Sequence, residues 1–495
     1  MSTTLEKQPE EEPLKEKEEK PKSDDKSFFE RLWAIKSNIT VEPVLAGLII
    51  PSMLARLAIQ NLNLDKACRV KLNYGDMVCD ALIDRTGNYS DEEANVQKVI
   101  SNIEAWKSVV QTAIPTILVI FMGAWSDRSG NRKICIILPL IGELMVCISN
   151  IVSVFFFYEI SVEVTMFFEA FFQAISGGWV MIYLGVFSYI SDVTNEETRT
   201  FRVGLVNLCM TAGIPIGTAL SGILLKWWGF YGIFAASATV YIITLIYSCI
   251  CLESKTKHND SSEKAKSGSC MDIVTMVKET ASVAVKKREG NLRLKIIMTL
   301  IIVAIIYGPN HGERIVMYMF VRYRLKWDAI KYSLYSTYSI ITHSLGAMFS
   351  ISVFSRMLGY HDTVLCLISI VSKLIGSIYI AFVYTDLQMY MVPIIEILNA
   401  TTFTSLRSMA SKLVPSEELG KMNSLFSLVE TLGALMFDPT YSTMYSKTLE
   451  IFSGAVFIYS AFLTLPPIAM LIYLFTQHRR ETKLRQTEAA LDEKR

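Results

Sequence analysis

Ten ionisable side chains lie inside stretches of this sequence that are otherwise apolar enough to enter a lipid bilayer: Arg56, Glu143, Glu169, Glu313, Arg314, Lys373, Glu396, Arg407, Glu430 and Asp438. Each costs about 2.5–3.5 kcal/mol to place in hydrocarbon on insertion scales, so such groups face a cavity or a partner. Two chemistries fit them. Arg56, Arg314, Lys373 and Arg407 are cations suited to an anionic ligand, because a guanidinium fork matches a carboxylate through two parallel hydrogen bonds. Glu143, Glu169, Glu396 and Glu430 are candidate proton carriers, since a desolvated carboxyl group gives up its proton less readily. Against both stands a structural role. Any of these groups can be one arm of an interhelical ion pair, and Arg56 and Arg407, near the ends of their runs, can reach the membrane interface. Tyr332, Tyr335 and Tyr338 recur every three residues on one helical face. Tyr335 is a candidate for stacking on a flat ligand ring, unless that face packs a neighbouring helix.

Residues 123–133, Gly-Ala-Trp-Ser-Asp-Arg-Ser-Gly-Asn-Arg-Lys, separate apolar runs at 108–125 and 134–157. The cations of so short a loop place it on the cytoplasmic side. Gly123 and Gly130 permit close helix approach and a tight turn. Asp127 can cap or pair at a helix end, and Arg128 and Arg132 can hold an opposing helix by charge. An ordinary inside loop is also basic, but its order is less constrained. A second inside loop, 191–202, carries Asp192, Arg199 and Arg202. Gly213-Ile214-Pro215-Ile216-Gly217 sets two glycines four apart beside a proline, as either a packing seam or a hinge.

Long apolar helices must hold these groups. The chain has 495 residues, 51% of them hydrophobic, and a mean hydropathy of +0.35. The apolar residues come in blocks, so the chain reads as an all-α, polytopic membrane protein. A net charge of +1 gives no pull toward nucleic acid. No catalytic triad, metal cluster or phosphate loop stands out, so neither an enzyme nor a cofactor is expected. The reading is a cytoplasmic tail at 1–36, a six-helix bundle at 37–252 with an outside loop at 62–106, and a cytoplasmic linker at 253–293. A second six-helix bundle at 294–476 and a cytoplasmic tail at 477–495 follow. No cleavable signal sequence is expected at the start. Twelve transmembrane helices in two bundles suit two halves rocking about a central site. Cys68 and Cys79 share the outside loop and are expected to pair there. Asn88-Tyr89-Ser90 is a glycosylation sequon in the same loop. Arg322, Arg324, Lys326 and Lys331 fall between spans 7 and 8, on the expected outside, against the rule that cations stay inside.

The order G-x-x-S-D-R-x-G-x-R-K over 123–133 resembles the loop 2–3 signature of the major facilitator superfamily, in which this loop is a cytoplasmic latch between the halves of a transporter. Other segments resemble the proton-coupled folate transporter family (solute carrier family 46). They are Val41-Glu42-Pro43 opening span 1, Ser191-Asp192-Val193 with Arg199-Thr200-Phe201-Arg202 between spans 4 and 5, and Arg407 followed by Ser411-Lys412-Leu413-Val414. The resemblance covers the membrane domain and not the tails. It implies the major facilitator superfamily fold and uptake of a small organic anion across a lipid bilayer, with protons as the candidate coupling ion. In the folate carriers a Glu follows the last Arg of R-T-F-R by five residues. Here that position is Asn207, which cannot titrate. His311 lies near the family's span 7 histidine but out of register with it. A monomer is expected, in the plasma membrane in preference to an endolysosomal one. A receptor or scaffold without transport, and a drug exporter of the same fold, are the competing functions.

Overall fold

A computed structural model describes residues 40–194, 196–252, 286, 291–415 and 418–492. The expected tail 1–36 and nearly all of the expected linker lie outside the described residues, as do the side chains of Asp127, Arg128 and Arg199.

The ordered elements among the described residues are helices. In the first half these are α1 (Glu42–Lys66, continued by a wide π turn, Ala67–Lys71), α2 (Asp76–Asp84), α3 (Ser90–Ser129) and α4 (Arg132–Phe155). Then come α5 (Val162–Ile175), α6 (Gly178–Val193) and α7 (Glu196–Cys251), which is kinked at Gly229. The second half holds α8 (Leu292–Leu325), α9 (Ala329–Ser350), α10 (Asp362–Ala381), α11 (Asp386–Ile395), α12 (Thr402–Lys412), α13 (Leu419–Phe452) and α14 (Ala455–Asp492). Pro43 falls in the first turn of α1, where its missing N–H costs no hydrogen bond.

Eight helical stretches among the described residues are long and apolar enough to cross a membrane. One of them, Arg202–Cys251, spans the kink in α7, and another, Val162–Val193, contains both α5 and α6. α9, α11 with α12, and α13 are shorter or more polar. The expected fourth and tenth spans are each broken into two helices. The first break is at Ser176 and Gly177, where Gly177 has φ 80°. The second is a short 3₁₀ turn, Asn399–Thr401, between α11 and α12.

The stretch expected as an outside loop is shorter than its polarity suggested. α1 runs on to Lys66 and α3 already begins at Ser90. Asp91, Glu92 and Glu93 fill the first turn of α3, where the helix dipole favours acids. Val96, Ile100 and Ile103 follow at helical spacing and are buried. Between these helices the expected disulfide joins Cys68 to Cys79, both buried. Arg69 bonds Asp65 at 2.7 Å and Asp76 at 2.6 Å and also pairs with Asp80, which ties α2 down on α1.

Three buried apolar clusters divide the molecule. One, at the disulfide end, mixes both halves: Leu57 and Ile100 pack in it with Phe320, Trp327 and Tyr445. A second draws its buried members only from residues 41–252 and a third only from 296–474. The two halves therefore share a core at the disulfide end. The cations expected between spans 7 and 8, which fall at the end of α8 and the start of α9, belong to this seal. Arg322 is buried and donates to Glu93 of α3 at 2.8 Å and to the Leu82 carbonyl at 3.3 Å. Arg85 approaches the same Glu93 at 3.4 Å. Burial, with the Arg322 guanidinium beside it, brings Arg85 down to about 10. Arg324 lies 3.9 Å from the Tyr384 ring and donates to the Val383 carbonyl. Lys331 pairs with Asp386. These cations are held by acids, carbonyls and rings.

Candidate functional site: a charged cavity between the halves

Two cavities meet at Tyr307 of α8. The first, of about 410 Å³, is walled mainly by α1, α3, α4 and α5, with α8 and α13 closing it from the other half. Its size falls within the range of small-molecule sites. The second, of about 710 Å³, is lined by α8, α12 and α13.

On the wall of the first cavity Lys107 lies 2.9 Å from Glu169 and 3.5 Å from Glu104. Asn63 donates to both oxygens of Glu169, at 3.2 and 3.3 Å. Glu143 accepts from Gln173 at 3.0 Å, and Gln173 in turn accepts from Gln111 at 2.6 Å. From the opposite half, His311 Nδ1 sits 2.8 and 2.9 Å from the two oxygens of Asp438. The Tyr307 ring lies nearly parallel to the imidazole at 6.2 Å. An imidazole–carboxylate pair on a cavity wall can take up and release a proton.

Arg56 faces the first cavity from α1 and Arg314 faces the second from α8; both side chains are exposed. Neither forms an ion pair among the described residues. Arg314 donates only to the Asn310 carbonyl of its own helix, at 3.3 Å. α1 and α8 are the first long helices of their halves, so the two arginines face the centre from equivalent elements. Arg407 lines the second cavity, 3.0 Å from Glu430 and over the Phe426 ring.

The other expected site residues divide. Glu143 and Glu169 line the first cavity and Glu430 the second. Lys373 and Glu396 line neither; they bond each other at 3.0 Å under cover. Tyr335 packs between Trp327 and Tyr390 at 5.3 and 5.7 Å, in the core of the disulfide end. A tyrosine face that looked suited to a ligand ring is occupied by other rings. Gly177 and Gly178 line the first cavity.

In the stretch 123–133, Gly130 takes the left-handed conformation that ends α3, with φ 68°. Arg132 bonds Asp192 at 3.0 Å and Ser126 at 3.3 Å, so the start of α4 holds the ends of α3 and α6 together. A methyl group on Gly123 would meet Leu184 at an ordinary 3.5 Å, so close approach does not require glycine there. Arg202 binds Glu42 through two bonds of 3.1 Å, both side chains buried, which joins the loop between spans 4 and 5 to the start of span 1. A Cβ on Gly217 would lie 2.7 Å from Met53, which makes that glycine pair a packing seam against α1. Asn88 is exposed.

Lys107, Glu104 and the partnership of His311 with Asp438 were not singled out from sequence. The signal for the first two was a polar stripe at helical spacing, Gln97, Ser101, Glu104, Ser108 and Gln111, running into the apolar part of α3. His311 and Asp438 are 127 residues apart, and nothing local connects them.

A family model described as Major Facilitator Superfamily matches residues 103–437, and the chain belongs to that superfamily. Among curated proteins it is 22% identical over 433 residues to the probable peptidoglycan muropeptide transporter SLC46 of Drosophila melanogaster, covering 86% of this chain and 83% of that protein. It is 24% identical over 444 residues to the lysosomal proton-coupled steroid conjugate and bile acid symporter SLC46A3 of Gallus gallus, covering 88% and 94%. In fold it resembles the crystal structure of the human organic anion transporter MFSD10, with a TM-score of 0.58, 14% identity, and 88% and 99% of the two chains covered. It is thus a multi-pass membrane protein related to solute carrier family 46.

Proposed function

We propose that the chain is a secondary active transporter that carries a small organic anion by alternating access, with protons as the coupling ion. The observation that carries this reading is the pair Arg56 and Arg314, exposed on the two cavities that meet at Tyr307 and without an ion pair among the described residues. Two such cations presented from equivalent helices suit a ligand that brings its own negative charge. Arg407 is a further contact at the edge of the second cavity. Lys373 and Tyr335 are left out, because other side chains already occupy them.

His311 with Asp438 is the proposed proton site, supported by Glu143 and Glu169 on the opposite wall. It takes over from the position of Asn207, where an amide cannot carry a proton. The twelve-span, two-bundle plan is part of the proposal. So is the latch made by Gly123, Asp127, Arg128, Gly130 and Arg132 with Asp192, Arg199 and Arg202. The mixed core at the disulfide end supports a molecule closed outside, with its second cavity reaching Ser411 and Asn423 at the other end. A glycan on Asn88 fits the same topology. For the membrane itself we favour the cell surface over the lysosomal station in the chicken relative's name; surface biotinylation of intact cells discriminates them.

The test is uptake into proteoliposomes of labelled organic anions, among them a folate, a steroid conjugate and a muropeptide, with and without an inward proton gradient. Saturable uptake of one of them that the gradient stimulates is expected. A receptor without transport gives binding but no accumulation, and a drug exporter gives accumulation only under the reversed gradient.

A further inference from the structure

The second half holds a group of titratable side chains that the cavities do not use. Lys373 of α10 lies 2.6 Å from Glu313 of α8 and 3.0 Å from Glu396, the residue that closes α11. His343 of α9 stands with its Nε2 4.0 Å from the second oxygen of Glu396. The lysine and both acids are more than nine-tenths buried. Two atoms in the group are buried without a hydrogen-bond partner, Glu313 Oε1 and His343 Nε2. Tyr335 of α9 and Tyr441 of α13 are the other ionisable groups that act on the two acids from packed helices. Arg314 follows Glu313 on α8 but lines the second cavity.

One ammonium against two carboxylates leaves a net negative charge under cover. An uncompensated buried charge is strongly unfavourable unless something neutralises it. A single proton solves this and also gives the imidazole a partner. Placed on Glu396, it points from the carboxyl oxygen to His343 Nε2, and a small inward movement of the ring closes the bond.

We propose that Glu313, Lys373, Glu396 and His343 form a proton-binding site of the second half, separate from the cavity, in which one proton is kept on the two acids and exchanged through His343. The transfer is a simple one. The imidazole nitrogen takes the proton from the Glu396 hydroxyl and passes it to water, leaving the carboxylate to Lys373 alone. His343 is the partly exposed member and supplies the route.

The site sits on the break in the tenth span. Neighbouring glycines make room for that break: a Cβ on Gly376 would lie 2.1 Å from Glu396, and one on Gly346 would lie 1.9 Å from the Ile397 carbonyl. The proton therefore sets how firmly Lys373 holds the broken span to α8, one residue from Arg314. That coupling role rests on the transporter reading; the bound proton does not.

Infrared difference spectroscopy of the purified full-length protein at neutral pH, without any substrate, tests it. A carboxylic acid carbonyl band that shifts in heavy water is expected in wild type. Either Glu396→Gln or Glu313→Gln removes the excess charge, so each should lose one acid per molecule from that band. If neither variant changes the band, the proposal fails. Should these variants not fold, His343→Asn serves. It is expected to shift the frequency of the same band, because the acid loses its imidazole partner, and an unmoved band overturns the proposal. Failure of the uptake assay leaves these spectra unaffected, so the two readings fail separately.

Discussion

Lys107 in the first half is gripped by Glu169 and Glu104 on the wall of a cavity, and Lys373 in the second half by Glu313 and Glu396 beneath the surface. The charges are the same, one lysine between two carboxylates. The surroundings are not. The Lys107 group adds Asn63 and stands next to Gln111, Gln173 and Arg56, where water and solute can enter. The Lys373 group is packed around a broken helix, with glycines where side chains would collide. A charge at a cavity wall can exchange partners with a ligand. A charge covered away from both cavities changes chiefly by gaining or losing a proton. On the proposed function, solute recognition falls to the cavity between the halves and helix control to the buried site of the second half.

The largest expected effect breaks the comparison at its covered end. Lys373→Ala leaves the buried acids, one of them still ionised, without their cation and is expected to cost about 3–5 kcal/mol of stability. Lys107→Ala, beside a cavity and with Glu104 one-fifth exposed, is expected to cost less. Thermal unfolding of both variants in detergent checks the ranking, and equal losses would erase the distinction between the groups. Next comes Arg56→Ala, expected to weaken anion uptake by ten- to a hundredfold, the worth of about 1.5–3 kcal/mol for a charged hydrogen bond. The KM of the variant should rise with little change in its folding.

His311→Gln comes third. A proton held between His311 and Asp438 gains occupancy as pH falls, so uptake should rise on acidification, and the variant should lose that rise. Because Asn207 removes one titrating position, the wild-type rise between about pH 7.5 and about pH 5.5 is expected to be shallow. Initial rates across that interval decide it, a steep wild-type rise counting against Asn207 as the missing proton site. Smallest is Arg407→Ala. Its pair with Glu430 is half exposed, and exposed pairs are worth at most about 1 kcal/mol. A loss of a few fold in uptake is expected, and a loss as large as that of Arg56→Ala would move the binding site into the second cavity.

Much of the fold was legible because hydrocarbon leaves a coarse signature. Blocks of about twenty apolar residues mark helices whatever else they do. The disulfide was legible from two cysteines in one polar stretch. The break in the tenth span was not. Its residues, Asn399-Ala400-Thr401, contain neither glycine nor proline, and the glycines that accommodate it belong to α9 and α10. The beginning of α3 was read as loop because its residues are polar, and polarity alone does not argue against a helix.

At the site, sequence revealed that cations and acids were present but not which were already paired. Arg56 and Arg314 look like Lys373 in a list of membrane charges. Only the packing shows that Lys373 is surrounded by acids and the two arginines are not. Arg322 makes the same point from the other side. It reads as a violation of the inside rule until Glu93, 229 residues away, is found beside it.

The most direct test of an anion carried between Arg56 and Arg314 is initial-rate uptake by wild-type protein and the double variant Arg56→Ala, Arg314→Ala, reconstituted side by side under an inward proton gradient. Saturable accumulation of at least one labelled organic anion is expected in the wild type, falling to the level of empty liposomes in the double variant. Undiminished uptake in a correctly folded double variant, or accumulation only of uncharged or cationic solutes by the wild type, would contradict it.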